Sequence, residues 1–295
     1  MRTGKVRISM LAIFGLMVFT NLSGQLVKVE HKEKIEVEKS AFYPLLNAKG
    51  DQLLFTDANY TGLKLVDLST KRLTQISEVE GAGFEPVFEV NTGNIIHRET
   101  RFVERRKYQS VQRYNKASRQ RTELISPTRN LRTTLPSKTR TSTEKVSDLR
   151  VYSNAKSVIV STNGVEKVLK PFSENEVSGY IWASLSPDKK RILFYATGKG
   201  SYIADLNGKV ISFLGNLQAP RWYNNQQVVG MDARNNEYVY ISSRIQMVTA
   251  DGKTKQYLTD DKEMAMYPSA STESGKIAYN TYNGDIYILT VNPVK

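Results

Sequence analysis

Cysteine is absent from the 295-residue chain, and histidine occurs only twice. Without cysteine there is no disulfide, no thiolate metal site and no thiol nucleophile. The two imidazoles, His31 and His97, are far apart in the sequence, so no local motif brings both to one zinc ion. The sequence also lacks a G-x-S-x-G nucleophile elbow and sialidase-type Asp boxes. We therefore expect no catalytic residue, no metal and no other cofactor.

Long hydrophobic runs are scarce, and the longest one lies at the N-terminus. Ile8–Phe19 is apolar, but it is too short for a good membrane span, which needs about 20 residues. It follows the positive residues Arg2, Lys5 and Arg7 and precedes the small, polar stretch Thr20–Gly24. This order is typical of an export signal, which we place at residues 1–24, with an uncleaved anchor as the alternative. The expected location is periplasmic or secreted.

The remaining sequence consists of a repeated pattern of short strands and turns. In "PLLNAKGDQLLF" and "ASLSPDKKRILF" a small or proline residue is followed by an apolar residue, a turn and an apolar strand. Six such units begin at residues 44, 86, 150, 183, 220 and 268. Four of their five spacings are close to the roughly 40–50 residues of a propeller blade. Each unit has about four short strands and cannot bury both of its faces alone, so the units must pack around an axis. We predict an all-β fold in which residues 25–295 form a single six-bladed β-propeller.

The two ends of the chain are expected to close this ring together. The last unit, Gly275–Lys295, has three strands before the chain ends and lacks its outermost strand. The segment Leu26–Glu38 precedes the first repeat and alternates apolar residues with charged ones, as a half-buried strand does. We expect this N-terminal strand to complete the sixth blade, which leaves no long unpaired edge there.

The repeats "SPDKKRILF" and "PLLNAKGDQLLF" and the ending "NGDIYILTV" resemble those of TolB-like six-bladed propellers, whose repeats are PD40- or WD40-like. This family is related to the propellers of prolyl-oligopeptidase-type enzymes. The resemblance covers roughly Leu26 to Lys295 and implies a fold but no particular function. TolB carries an α/β domain before its propeller, and the peptidases carry a hydrolase domain. The chain shows neither feature, so neither Tol-system membership nor peptidase activity is carried over.

The mouth of the propeller axis is the first candidate site. Loops converge there at the six repeat boundaries, and the residues just before the repeats are Tyr43, Glu85, Leu149, Trp182, Ala219 and Tyr267. Three of them are aromatic, and such rims commonly bind peptides or small ligands. We predict that Tyr43, Glu85, Trp182 and Tyr267 bind a ligand. The alternative is that the aromatic rings fill the wedges between blades, which is the role that we assign to Trp222.

Excess positive charge defines the second candidate site. Residues 98–150 contain 15 Lys or Arg and 5 Asp or Glu, whereas the rest of the mature chain is nearly balanced. This stretch includes a basic insertion at about residues 126–148, which has almost no large apolar residue and is expected to be a long exposed loop. It is either a tolerated loop or a docking surface for an anionic partner. The residues predicted to bind that partner are Arg129, Arg132, Lys138 and Arg140.

These features favour an exported, non-catalytic binding scaffold of the bacterial cell envelope. The expected partner is an envelope protein or an anionic surface, and not nucleic acid, because the insertion lacks aromatic stacking residues. The protein is expected to be a monomer or part of a larger complex. The alternatives are a hydrolase or lyase with its site at the axial mouth, and an accessory subunit of a secretion or uptake complex. Buried acids at the mouth would favour the enzyme, and an apolar or aromatic mouth would favour the scaffold.

Overall fold

The computed structural model describes residues 24–37, 40–90, 92–131, 135, 149–271 and 273–294. The predicted export signal, apart from Gly24, lies outside these residues, and so do Arg132, Lys138 and Arg140 of the basic insertion. Within the described ranges there is no α-helix, and the short 3-10 turn Ala58–Tyr60 is the single helical element. In this part of the chain no helix is long and apolar enough to cross a membrane.

The strands form six antiparallel sheets, which are the six blades of a β-propeller. Their order within each sheet follows the chain from the axis outward, except in blade 6. Blade 1 contains β2 (Phe42–Leu46), β3 (Gln52–Thr56), β4 (Leu63–Asp67) and β5 (Leu73–Ser77). Blade 2 contains β6 (Val87–Phe88), β7 (Ile95–Val103), β8 (Arg106–Tyr114) and β9 (Arg121–Thr128). Blade 3 contains β10 (Leu149–Ser153), β11 (Val158–Thr162) and β12 (Val165–Leu169).

The second half of the ring continues the same arrangement. Blade 4 contains β13 (Tyr180–Leu185), β14 (Arg191–Ala196), β15 (Gly200–Asp205) and β16 (Val210–Gly215). Blade 5 contains β17 (Gln218–Trp222), β18 (Gln227–Asn235), β19 (Tyr240–Thr249) and β20 (Lys255–Tyr257). Blade 6 contains β21 (Ala265–Ala270), β22 (Lys276–Thr281), β23 (Ile286–Pro293) and, outermost, β1 (Val27–Ile35). The predicted six-bladed fold is confirmed.

The N-terminal strand closes the ring, as the sequence predicts. β1 pairs antiparallel with β23, from Val27 opposite Pro293 to Ile35 opposite Ile286. The side chain of Gln256 in blade 5 holds the beginning of this strand. Its Oε1 accepts hydrogen bonds from the backbone N–H groups of Leu26 and Val27 (2.8 and 3.0 Å), and its Nε2 donates to the carbonyl of Val27 (2.7 Å). The first and last parts of the chain are therefore joined to each other and to the neighbouring blade.

Adjacent apolar residues in the second strand of a blade explain how the ring packs. Leu53 belongs to the core between blades 6 and 1, whereas its neighbour Leu54 belongs to the core between blades 1 and 2. Ile192 and Leu193 of blade 4 are divided between its two neighbours in the same way. Side chains alternate along a strand, so a strand that is buried on both faces reads as a continuous apolar run. This requirement produces the repeated "LLF" and "ILF" segments.

Blade 3 departs from the predicted unit of about four strands. Its sheet has three strands among the described residues, and β12 forms its edge. Val165 and Val168 on this edge strand are 76% and 59% exposed. The residues that follow β12 form a turn in which Phe172 packs on Tyr202 of blade 4 instead of continuing the sheet. The chain that directly follows β12 thus adds no fourth strand to this blade within the described residues.

The predicted basic insertion, placed at about residues 126–148, begins within a strand. The first three residues of the range 126–148 belong to β9, which pairs with β8 as far as Thr128 opposite Gln109. The outer strand of blade 2 thus includes Ser126, Pro127 and Thr128, although their composition suggests a loop. Arg129 follows directly and is exposed.

Candidate ligand-binding site at the axial mouth

A β-bulge lies near the start of the innermost strand in four of the blades. In blade 1 the register passes from Phe42 opposite Thr56 to Leu45 opposite Leu54, so three steps on β2 match two on β3. Blades 4, 5 and 6 show the same shift. Such bulges are commonly found next to functional sites, where they redirect a side chain.

The rim residues predicted from the sequence occupy these bulges in a left-handed backbone conformation. The φ angles are +53° for Tyr43, +53° for Trp182, +44° for Ala219 and +50° for Tyr267, and Glu85 before β6 has +48°. For residues other than glycine this conformation costs roughly 1–2 kcal/mol each. Residues with such a strained backbone persist only where the surrounding structure holds them, and they are commonly found at binding sites. The repeat boundary is therefore a structurally distinct position.

A continuous aromatic surface forms one side of the mouth. The ring of Tyr43 stacks on Tyr60 with centroids 4.3 Å apart, and it contacts Tyr267 at 4.7 Å. Phe84 meets the ring of Tyr60 edge-on at 5.1 Å. Tyr60 comes from the loop between the second and third strands of blade 1, and Phe84 from the loop that enters blade 2. Residues from three blades are thus joined into one wall.

A second aromatic pair lies on the blade 4 side of the mouth. Trp182 meets Tyr195 edge-on at 5.4 Å, and the Tyr195 hydroxyl donates to the side-chain oxygen of Asn216 (2.9 Å). Next to this pair is an open cavity of about 600 Å³, whose lining includes Gln218 and Ile241 of blade 5. Trp182 is also packed against the core between blades 5 and 6. The alternative that the Trp182 ring fills a wedge between blades thus holds for part of its surroundings.

The tyrosines of the mouth are neutral hydroxyl groups over the whole physiological range. Burial raises the pKa of Tyr43 far above its usual value, and a hydrogen bond with Tyr60 raises it further. Burial also raises the pKa of Tyr267, and the neighbouring Tyr240 and Tyr43 add to this effect. In Tyr60 burial outweighs the opposing hydrogen bond with Tyr43, so its pKa is raised as well. Neutral phenols can both donate and accept hydrogen bonds.

Two arginines and one carboxylate supply the charge at this site. Arg98 is 2% exposed and donates a hydrogen bond to the carbonyl of Phe84 (3.1 Å), and its guanidinium lies 3.8 Å from the Glu85 carboxylate. Arg98 also lies against the ring of Phe84, at 5.0 Å from its centroid. Arg221 of β17 is the second arginine; burial lowers its pKa, and Glu85 and then Tyr60 oppose this shift. Arg98 therefore supports the rim, whereas Arg221 faces groups from blades 1 and 2.

The structure brings three of the four predicted ligand-binding residues to one side of the mouth. Tyr43 and Tyr267 are in contact, and Glu85 follows Phe84 at the end of the same wall. Trp182 lies on the blade 4 side, in the pair with Tyr195. Sequence reasoning missed Tyr60, Phe84, Arg98 and Arg221. Tyr60 and Phe84 lie in loops. An aromatic residue within a turn segment, "ANYTG" or "GAGFEP", is the sequence feature that could have identified them.

The histidines and acids do not form a second centre in the described ranges. His97 on β7 is fully buried, with its Nε2 3.5 Å from a carboxylate oxygen of Glu99. Among the residues that the structure describes, no group of three or more His, Asp or Glu side chains is arranged to hold a metal ion.

Comparison with known proteins identifies the fold. No family model matches the chain, and no curated relative was found. A putative TolB from Agrobacterium tumefaciens is 14% identical, with a TM-score of 0.54, over 88% of this chain and 92% of that one. The fold is that of a TolB-like propeller. TolB from Acinetobacter baumannii is 16% identical, with a TM-score of 0.53, over 79% of this chain.

The match to the Acinetobacter protein spans 57% of that protein's length. A propeller that is not described as a TolB is similar in structure to nearly the same degree. The Cps50 (Swd1) β-propeller domain of Myceliophteria thermophila is 13% identical over 90% of this chain, with a TM-score of 0.52. At these identities the TolB-like likeness concerns the fold alone, and function has to be argued from the site.

Proposed function

We propose that the protein is an exported, non-catalytic binding scaffold of the bacterial cell envelope that holds its ligand or partner protein in the axial mouth. The observation that carries this proposal is the aromatic wall of Tyr43, Tyr60, Phe84 and Tyr267, built on strained bulge residues. Aromatic rings offer large contact areas and lose little side-chain entropy on binding, so they commonly dominate binding sites. The export-signal pattern at residues 1–24 supports the location.

The chemistry of the wall favours binding over catalysis. General acid–base catalysis needs groups whose pKa lies near the operating pH, and the raised pKa values of Tyr43 and Tyr267 move these hydroxyls away from it. Glycosidase chemistry needs two carboxylates facing one bond, and the mouth residues named above include one, that of Glu85. The aromatic mouth is the feature that we expect of a scaffold.

Site-specific photocrosslinking tests the proposal. A benzophenone amino acid replaces Phe84, which is 38% exposed at the mouth, and the protein is irradiated in living bacterial cells. The matched control replaces Phe213, which is 51% exposed on the outer strand β16 of blade 4. We expect an adduct from position 84 that position 213 does not give and that the Tyr267→Ala substitution removes. Equal adducts from both positions, or none from position 84, would contradict the proposal.

A further inference from the structure

Among the described residues, Arg221 differs from the other partly or fully buried arginines in having no hydrogen bond or ion pair to the protein. Arg98 donates to the carbonyl of Phe84 (3.1 Å), Arg113 pairs with Glu89 (3.0 Å), and Arg191 donates to the backbone of Asn225. For Arg221 no hydrogen bond or ion pair is found with any residue that the structure describes. A guanidinium carries five N–H donors and stays charged in proteins, so the donors of Arg221 are available to an acceptor that enters the mouth.

The position of Arg221 is not required by the blade repeat. It is the second residue after the bulge residue Ala219, and the equivalent residues in blades 1, 4 and 6 are Leu45, Ser184 and Ser269. Small or apolar side chains thus satisfy the fold at this place in the other blades. The cation in blade 5 is a departure from the repeat, and a role in folding does not account for it.

The charged neighbour of Arg221 limits the kind of anion that can bind there. Glu85 is the nearby carboxylate, but it is about half exposed and lies 3.8 Å from Arg98. Glu85 and Tyr60 are the groups that act electrostatically on Arg221. The negative charge of Glu85 disfavours an anion that carries more than one negative charge.

We infer that Arg221 anchors a carboxylate of the ligand in the axial mouth, with the hydroxyls of Tyr43, Tyr60 and Tyr267 as additional donors and their rings as contacts for its carbon skeleton. This inference rests on the proposed function, and it names the chemical class of the ligand. A guanidinium recognises a carboxylate through two parallel hydrogen bonds, which fixes orientation as well as adding affinity. The ligand is an acidic peptide segment or a small aromatic or aliphatic carboxylate.

Isosteric small probes test this inference without knowledge of the natural ligand. Benzoate, benzamide and phenyl phosphate are titrated into the full mature chain that carries the Trp222→Phe substitution, so that Trp182 at the mouth is the only tryptophan. Trp182 fluorescence and the side-chain NMR signal of Arg221 are the two readouts. We expect saturable changes with benzoate, at least about tenfold weaker changes with benzamide, and weaker binding of phenyl phosphate than of benzoate.

Charge variants separate a specific anchor from general electrostatics. Arg221→Gln is expected to weaken benzoate binding about ten- to a hundredfold. Arg221→Lys is expected to weaken it less, because lysine keeps the positive charge but lacks the two parallel N–H donors of the guanidinium. The matched control is Arg72→Gln, an exposed arginine in the turn before β5, which is expected to leave binding unchanged. Thermal melting of each variant checks that it is folded.

The outcomes distinguish this inference from the proposed function. If Arg221→Gln binds benzoate as the parent does, or benzamide binds equally well, Arg221 is not a carboxylate anchor, even where the crosslink from position 84 persists. If phenyl phosphate binds more tightly than benzoate, the ligand class is phosphate and the inference is wrong. If position 84 gives no adduct in cells, the proposed function fails, whatever the small probes do.

Discussion

Closure of the ring by β1 makes a quantitative prediction about stability. Val27 is fully buried in the core between blades 5 and 6, and Ile35 is 4% exposed in the core between blades 6 and 1. Val27→Ala should cost about 2 kcal/mol and Ile35→Ala about 3 kcal/mol, from the lost burial and the cavity that remains. The two residues occupy opposite ends of β1 and different cores, so the costs should add to about 5 kcal/mol.

Urea unfolding followed by tryptophan fluorescence measures this loss, and limited proteolysis reports an opened edge at β23. A loss of about 5 kcal/mol is large compared with the roughly 5–15 kcal/mol of a folded domain. The control is Lys28→Ala on the same strand, whose side chain is 65% exposed and pairs with Glu30; it should cost less than about 1 kcal/mol. If the double variant unfolds at the same urea concentration as the control, β1 does not hold the ring closed.

Three further predictions concern single turns and the basic insertion. Lys189 is exposed in a turn with φ of +60°, so Lys189→Gly should raise the free energy of unfolding by about 1 kcal/mol; a loss of stability would contradict this. Hydrogen bonds from Ser69 and Thr70 lower the pKa of Asp67 to about 2, below its usual 3.8, so its contribution is present above about pH 4 and is lost as the pH falls towards 2. The stability difference between Asp67→Asn and the parent in urea should shrink over that range, and a difference that is constant with pH would refute it. Serine substitutions of the four predicted partner-binding residues, Arg129, Arg132, Lys138 and Arg140, should leave the melting temperature nearly unchanged and weaken salt-sensitive capture of an acidic partner. Unchanged capture would show that the insertion is only a tolerated loop.

The fold could be predicted because each blade repeats the same physical requirements. A strand buried on both faces needs adjacent apolar residues, and Leu53 with Leu54 or Ile192 with Leu193 meet that need. The closing strand could be predicted because a missing strand at one end and a spare one at the other are both visible in the sequence. The turn after β12, in which Phe172 packs on Tyr202 of blade 4, was not predicted because the repeat does not say which residues follow the third strand.

The site could be predicted only in part, because its other members come from loops of different blades. The repeat fixes where each innermost strand begins, so it places Tyr43 and Tyr267 at the mouth. It does not say which loop residues fold back over that mouth, and Tyr60 and Phe84 arrive in this way. Arg221 follows the repeat boundary directly, but the inference about it depends on its having no hydrogen bond or ion pair to the described residues, which only the three-dimensional structure can show.

The energetics of the bulge residues connect the fold to the proposed binding role. Each left-handed tyrosine costs roughly 1–2 kcal/mol relative to a relaxed backbone. A ring pair such as Tyr43 with Tyr60 or Tyr267 contributes about 0.5–1.5 kcal/mol in addition to the burial of its apolar area, which is similar in size to the strain of one residue. Glycine would satisfy the same bulge without strain, and Ala219 shows that a large ring is not needed there. Trp182 and Tyr267 also pack against the core between blades 5 and 6, so burial accounts for part of their aromatic character. Under the proposed function, a ligand that packs against the rings of Tyr43, Trp182 and Tyr267 is the further reason for it.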